Sequence, residues 1–557
     1  MKLDDFYLEL KKRRDILIIS ALFIIYAVYD YLWITKNTLP PTWDDAWHLM
    51  SSLNYYRILT NPSFDMLEKL IHVDWYYPPF FKFSTAFLYM VFGTSITTAL
   101  MTNVIYLGIL LFSTYGIGKI LFNRETRILA AAIVSMYPLV FNLQRIYLID
   151  LALTSMITLS IYILLRTENF KNFRYSLILG AVLGMTLLTK WTAVFFIAGP
   201  FIYVLYLSFF KVDSLVPKKI NNKQRKKIDS EKISIKKKQL MYVLLACFEA
   251  IFIASIWYIP NGAGAYNFIK EMAPYWASVE GENLNIFSFD NLSFYFIVII
   301  NQTSFLLALV FMIGLAYLIR IKETSSLFLL SWIFLPIIVL TLQMNKGDRY
   351  TMPIMAAIAI ISAFWITSII GRKMKTAVIA TVLLIGGVQV ISMAGGNNSM
   401  HDSLLINTHT QIGNISLFPG GTTLPIQEEW KHEEILDSIL KDTLNNERVK
   451  ARGFGYIVVV PDHGFINGRT FEYYNFKMNL PFQIYNGAYI REQMFYENFL
   501  NFDYLIIKTG TNGGPYKNIV DNEYDYFNKN SDAFLLIKEE KMPDDTMLSV
   551  YRNKYSK

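Results

Sequence analysis

Apolar residues run in long blocks through the first 394 positions, broken by short polar turns, and give way to short alternating segments beyond that point. Blocks such as Asp15 to Ile34, Leu240 to Ile259 and Thr376 to Ala394 have the ~20 residues needed to cross a bilayer core of ~30 Å. Hydropathy predicts about eleven spans, at roughly 15–36, 96–120, 128–144, 146–166, 175–189, 191–210, 239–259, 291–319, 325–342, 351–370 and 376–394. The first is too long, and too poor in small residues at its end, for a cleaved leader, and reads as a permanent helix.

The turns between the blocks sort by charge. Lys11-Lys12-Arg13-Arg14, Arg124 with Arg127, Lys171 with Arg174, the 211–238 loop, Arg320 with Lys322, and Arg372-Lys373 with Lys375 all fall on one side of this arrangement. Basic loops stay in the cytoplasm, so the other side is outside. There lie a loop over 37–95, a segment near 260–290 expected to lie along the interface, and everything beyond 395. From Glu428 onward strand patterns (Tyr456 to Val460, Phe482 to Tyr485, Tyr504 to Ile507) alternate with helical ones (Thr470 to Met478, Arg491 to Asn501). That alternation predicts an α/β domain. The expected organisation is therefore a polytopic α-helical membrane unit over 1–394 and an extracytoplasmic α/β domain over 395–557, in the cell membrane.

Composition agrees. Charged residues make up 17% of the 557, against roughly 25% in soluble domains. Much of the +8 net charge sits in Lys218–Lys238, where it sets topology and attracts anionic lipid; it is not a nucleic-acid signal. Cys247 is the only cysteine, so no disulfide forms within one chain.

The chemistry-bearing residues cluster on the outer side. Asp44 and Asp45 lie in Thr42-Trp43-Asp44-Asp45-Ala46-Trp47-His48, just past the first span. A carboxylate pair there suits a general base, and equally suits the start of a helix. Later in the loop comes Asp74-Trp75-Tyr76-Tyr77-Pro78-Pro79, whose prolines set the direction of the aromatics before them. Arg145-Ile146-Tyr147-Leu148-Ile149-Asp150 opens a span; its two charges either pair or mark a site, because ionisable groups at membrane depth are costly. Lys190 ends a Gly-containing helix, where snorkelling is the alternative. Gly347-Asp348-Arg349-Tyr350-Thr351-Met352-Pro353 fills a short outer turn, and the planar fork of Arg349 suits phosphate oxygens. Asp462-His463, after a strand, reads as a turn pair. His401 and His409 have no partners at metal-ligand spacing.

Taken in order, these pieces resemble the GT-C glycosyltransferases of the protein O-mannosyltransferase and aminoarabinose lipid A transferase group, over residues 1 to about 370. The shared pattern is a carboxylate pair and a Pro-Pro in the first outer loop, Arg-x-Tyr-x-x-Asp opening a span, Leu-x-Lys closing a Gly-rich helix, and Arg-Tyr-x-x-Pro before a late span. The resemblance implies inverting transfer of a sugar from a polyprenyl-phosphate carrier to an acceptor on the outer face. Asp44 matches the presumed base. Asp45 stands where the family more often has glutamate, and Tyr76-Tyr77 stand where it has histidine, or glutamate and lysine. Arg349, Lys190, Tyr350 and Tyr77 are the candidates for the lipid phosphate, with Arg145 and Asp150 in support. No metal is obligatory for a leaving group that is already an anion, and a divalent ion is left open. The acceptor class, protein, lipid or glycan, is left open too. Two rival readings follow from the same residues: a transporter or flippase of lipid-linked sugars, and a silent anchor whose outer domain binds glycans.

Overall fold

The computed structural model describes residues 3–210, 222–279, 285–395, 405–407, 414–416, 424–490 and 492–555. His401, His409 and part of Lys218–Lys238 lie outside the described residues. The described residues before 395 are largely helical, and among them seven helices are long and apolar enough to cross a membrane: Arg14–Ile34, Ile96–Leu121, Ile149–Arg166, Ile233–Val279, Ser325–Leu342, Asp348–Thr367 and Arg372–Ala394. The chain is a multi-pass membrane protein. Shorter apolar helices, Phe80–Phe92, Phe173–Leu187 and Ala193–Phe209, pack among them.

Several expected spans are broken, each for a local reason. The stretch predicted over 128–144 is two helices, Arg124–Met136 and Pro138–Leu143. Tyr137 between them is extended at φ −66° and ψ 131°, as a residue preceding proline prefers. The stretch over 291–319 turns by 117° between Phe289–Thr303 and Phe305–Ile321, at Ser304 with φ 70°. The first part of the segment near 260–290 continues the helix that begins at Asn222, which runs through Pro260 and Pro274 to Val279. Met355–Thr367 is the axis of the bundle, apolar on every side and buried along nearly its whole length.

One end of the bundle is basic. Asp15, at the start of the first span, pairs with Arg124 (Nε to Oδ1 2.8 Å) and with Arg127, and Lys375 pairs with Glu125 at 2.7 Å. The other end of the first span leads to the 37–95 segment, which folds as helices Trp43–Thr60, Met66–Ile71 and Phe80–Phe92. The Pro78-Pro79 pair does not exclude a helix after it: Pro79 is the cap residue of Phe80–Phe92.

The C-terminal α/β domain holds a five-stranded sheet in the order β4-β3-β5-β7-β6. Its strands are β3 (Gly455–Val459), β4 (Phe482–Asn486), β5 (Tyr504–Lys508), β6 (Phe534–Lys541) and β7 (Met547–Asn553), after a small ribbon of β1 (Leu405–Asn407) and β2 (Asn414–Ser416). β3 is parallel to β4 and β5, and β7 is antiparallel to β5 and β6. Ile457, Val459 and Ile506 fill one core while Val458, Val460 and Leu505 fill the other, the period-two alternation of a sheet covered on both faces.

The domain is fastened to the bundle through Trp43–Thr60, which packs against Gly468–Met478. Arg57 Nη2 donates to Phe476 O at 2.8 Å and its guanidinium lies 4.3 Å over the Phe476 ring. Thr470 Oγ1 donates to Pro41 O at 2.9 Å. Gly468 sits where this helix meets β4. A Cβ there would lie 2.5 Å from Asn486 Cβ and 2.7 Å from its Cα. Gly468→Ala is therefore expected to destabilise the domain by about 1–3 kcal/mol, read as an earlier unfolding transition in denaturant.

Candidate active site

Between the bundle and the α/β domain lies a cavity of about 1420 Å³. Helix Trp43–Thr60 contributes Trp43, Asp44 and Trp47; the loop before Phe80 contributes Trp75, Tyr76 and Tyr77; the short turn after Leu342 contributes Lys346, Arg349 and Tyr350. Phe268, Met272 and Trp276 come from the long Asn222–Val279 helix. The roof is Arg469, Tyr489 and Tyr516 of the α/β domain.

Asp44 and Asp45 are in the first turn of their helix, where the positive end of the backbone dipole favours carboxylates. Their side chains part company. Asp44 Oδ2 accepts from Arg349 Nη2 at 2.5 Å, and its side chain is 45% exposed, toward the cavity. Asp45 does not line the cavity; its Oδ1 accepts from Thr42 Oγ1 at 2.6 Å, so it helps to organise the helix start. Burial opposes ionisation of both. For Asp44 the charge of Arg349 overrides burial and holds the carboxyl below the usual range. For Asp45 burial prevails, helped by the charge of Asp44, and the carboxyl is pushed up to about 6.

Behind Arg349 the charges continue. Asp150 Oδ2 is 3.8 Å from Arg349 Nε, and Asp150 Oδ1 accepts from Lys190 Nζ at 3.1 Å. Lys190 also lies 5.4 Å from the centre of the Tyr350 ring. Lys190, expected from the sequence to meet a ligand, stands behind Arg349: neither Lys190 nor Asp150 lines the cavity. Asp150 lies between Lys190 and Arg349. Arg145 stands apart from this group. It turns away from Asp150, and its Nη1 reaches Asp30 at 3.0 Å with both side chains at 1% exposure or less. The Phe141 ring is 4.0 Å from its guanidinium. Its partner lies in the first span, so Arg145 ties helices together.

A second hub supports the loop. Asp74 and Lys82 form an ion pair at 2.5 Å with both side chains at 0% exposure. Asp74 also accepts from the backbone N–H groups of Tyr76 and Tyr77 at 3.0 and 2.9 Å, and from Trp47 Nε1 at 2.8 Å. With Ser51 Oγ at 3.3 Å, five donors meet on one carboxylate, and they hold the backbone that carries Tyr76 and Tyr77 to the cavity wall. Trp47 in turn carries Arg469 4.2 Å over its ring, while Trp43 Nε1 donates to Asp462 Oδ1 at 2.8 Å. The two tryptophans beside the acidic pair are thus the joints between bundle, loop and roof. His48, beside them, is buried against the Tyr77 ring at 4.9 Å; burial, then the charge of Lys82, push its imidazole down to about 3, so it is neutral.

Of the residues singled out from sequence, Asp44, Tyr77, Arg349 and Tyr350 line the cavity. Sequence reasoning missed Lys346, although it shares the short turn with Arg349, and missed the role of Lys82. It missed Arg469, Tyr489 and Tyr516 because nothing local ties them to a site over four hundred residues upstream. Lys346 Nζ donates to Thr341 O at 2.7 Å, capping the end of Thr324–Leu342. Among the described residues, no three His, Cys, Asp or Glu side chains are disposed to hold a metal ion.

The fold has counterparts among solved structures. The chain aligns over 95% of its length, with a TM-score of 0.54 and 10% identity, to the crystal structure of ArnT from Cupriavidus metallidurans bound to undecaprenyl phosphate, covering 97% of that chain. The same enzyme in its apo state gives 0.55 at 10% identity and the same coverage. The oligosaccharyltransferase of Archaeoglobus fulgidus, tethered to an acceptor peptide, gives 0.53 at 13% identity, over 90% of this chain and 69% of that one. The chain has the GT-C glycosyltransferase fold. In sequence, residues 77–219 match the family model of dolichyl-phosphate-mannose-protein mannosyltransferases. No curated protein matches it. The resemblance drawn from the ordered motifs thus holds for the fold.

Proposed function

We propose that the protein transfers a sugar from a polyprenyl-phosphate carrier to an acceptor hydroxyl, with inversion, and that the cavity opens on the extracytoplasmic side of the cell membrane. The observation that carries this reading is the contact of Asp44 with Arg349 on the cavity wall: a carboxylate able to take a proton beside a cation suited to phosphate. The ArnT structure with undecaprenyl phosphate supports the donor class. The basic loops at the opposite end of the first span support the orientation.

In this reaction the acceptor oxygen attacks the anomeric carbon while its proton passes to an Asp44 oxygen, and the bond from that carbon to the phosphate oxygen breaks. The electron pair leaves on the lipid phosphate, and Arg349 and Lys346 meet the charge that develops there. Lys190 and Asp150 position Arg349. The roof residues Arg469, Tyr489 and Tyr516 contact the acceptor.

The test is label transfer from radiolabelled polyprenyl-phosphate sugars by purified, lipid-reconstituted protein; no transfer from any donor in the panel would sink the reading. The pH profile separates the two acids. Asp44 titrates below the ordinary carboxylate range, so kcat/KM, which reports the unliganded enzyme, has no acidic limb between about pH 5 and 8. A limb centred near 6 would assign the base to Asp45 instead.

A further inference from the structure

Asp44 and Arg349 are placed for opposite ends of the same reaction, yet they hold each other. An in-line displacement puts the attacking oxygen and the leaving phosphate on opposite faces of the anomeric carbon. In inverting glycosidases the two working carboxyls stand roughly 6.5–9.5 Å apart to leave room for that geometry. A base 2.5 Å from the cation that receives the leaving group leaves no room for a sugar ring between them. The pair must open.

We propose that the phosphate of the lipid-linked donor replaces Asp44 on Arg349, so that donor binding itself releases the base; this rests on the transfer reading above. The carboxylate that leaves is decided by its surroundings. Asp150 is 6% exposed and held by Lys190 at 3.1 Å, which fixes it in place. Asp44 is 45% exposed, and Arg349 is the one side-chain hydrogen-bond partner it has among the described residues. Its position in the first turn of Trp43–Thr60 lets a rotamer change carry the carboxylate away without moving the helix.

Charge drives the exchange. Asp44, Asp150, Arg349 and Lys190 sum to zero, so a phosphate arriving while Asp44 stays would set like charges in contact. Phosphate oxygens suit the guanidinium fork, and Asp44, displaced, turns to the acceptor hydroxyl. The same exchange closes the cycle. After transfer Asp44 carries the acceptor's proton and is neutral, so it does not compete for Arg349. Once it loses that proton to solvent, the carboxylate returns to Arg349 and expels the lipid phosphate.

The experiment is equilibrium binding of undecaprenyl phosphate to full-length, lipid-reconstituted wild type, Asp44→Asn and Arg349→Gln. Removing a competing carboxylate is expected to tighten binding to Asp44→Asn by about tenfold, while Arg349→Gln loses binding. Undecaprenol, which lacks the phosphate, is expected to bind wild type and Asp44→Asn alike. Unchanged or weaker binding of undecaprenyl phosphate by Asp44→Asn overturns the exchange, and so does an equal gain for undecaprenol. Asp44→Ala, checked with the others by thermal unfolding, repeats the measurement should the asparagine variant fold poorly. Protein that transfers sugar but shows no gain refutes the exchange alone. Protein that shows the gain yet transfers nothing upholds the exchange and refutes the transfer reading.

Discussion

Asp44→Asn is expected to lower sugar transfer by about 10²–10⁴-fold, the range carried by a positioned general base. The amide is isosteric with the carboxylate and keeps the helix start intact, since Thr42 bonds Asp45 and not Asp44. Thermal unfolding should therefore stay near that of wild type while turnover collapses. Asp45→Asn makes the comparison sharp. Its side chain faces Thr42 rather than the cavity, so it should alter stability more than turnover. Label transfer measured side by side in the two variants checks both statements; substantial turnover by Asp44→Asn would remove Asp44 from the role of base.

Asp74→Ala is expected to destabilise the fold by about 3–5 kcal/mol, because it leaves the Lys82 ammonium buried without its counter-ion. The same change orphans the backbone N–H groups of Tyr76 and Tyr77 and the indole N–H of Trp47. Each was held by one carboxylate, and each buried donor left unpaired adds its own desolvation penalty. The loss should appear as an earlier unfolding transition in detergent or lipid. A double change, Asp74→Ala with Lys82→Met, removes the stranded charge and should recover part of that loss. It should not restore activity, because the backbone that carries Tyr76 and Tyr77 would no longer be held at the cavity wall. Equal stability of the single and double variants would show that the pair contributes no charge compensation.

The membrane class was legible because it depends on composition along the chain. A helix surrounded by lipid or by other helices must be apolar on every side, and blocks such as Thr376 to Ala394 say so without any partner. The strands of the α/β domain were legible for a similar reason: Tyr456 to Val460 and Tyr504 to Ile507 are short apolar runs bounded by turns. Breaks within spans were not legible from hydropathy. Tyr137 and Ser304 change the direction of the chain without changing its apolar character, and hydropathy counts only the latter.

At the site the division is sharper. The chemistry of Asp44 and Arg349 follows from their residue types, and their order in the chain pointed to one class of enzyme. Their contact across 305 positions is a tertiary fact. So is the withdrawal of Arg145 to Asp30 and of Asp45 to Thr42, because which of several nearby charges pair depends on distances that helix packing sets. Nothing local in the sequence pairs Lys82 with Asp74; the fold brings them within 2.5 Å. Arg469, Tyr489 and Tyr516 reach the cavity only because Trp43–Thr60 docks on Gly468–Met478. The sequence by itself determined that the chain crosses a membrane, carries an α/β domain and bears acids and cations on one side. Only the tertiary structure decided which acid meets which cation, since Coulomb and hydrogen-bond energies fall off within a few ångströms while sequence separation says nothing about distances that short.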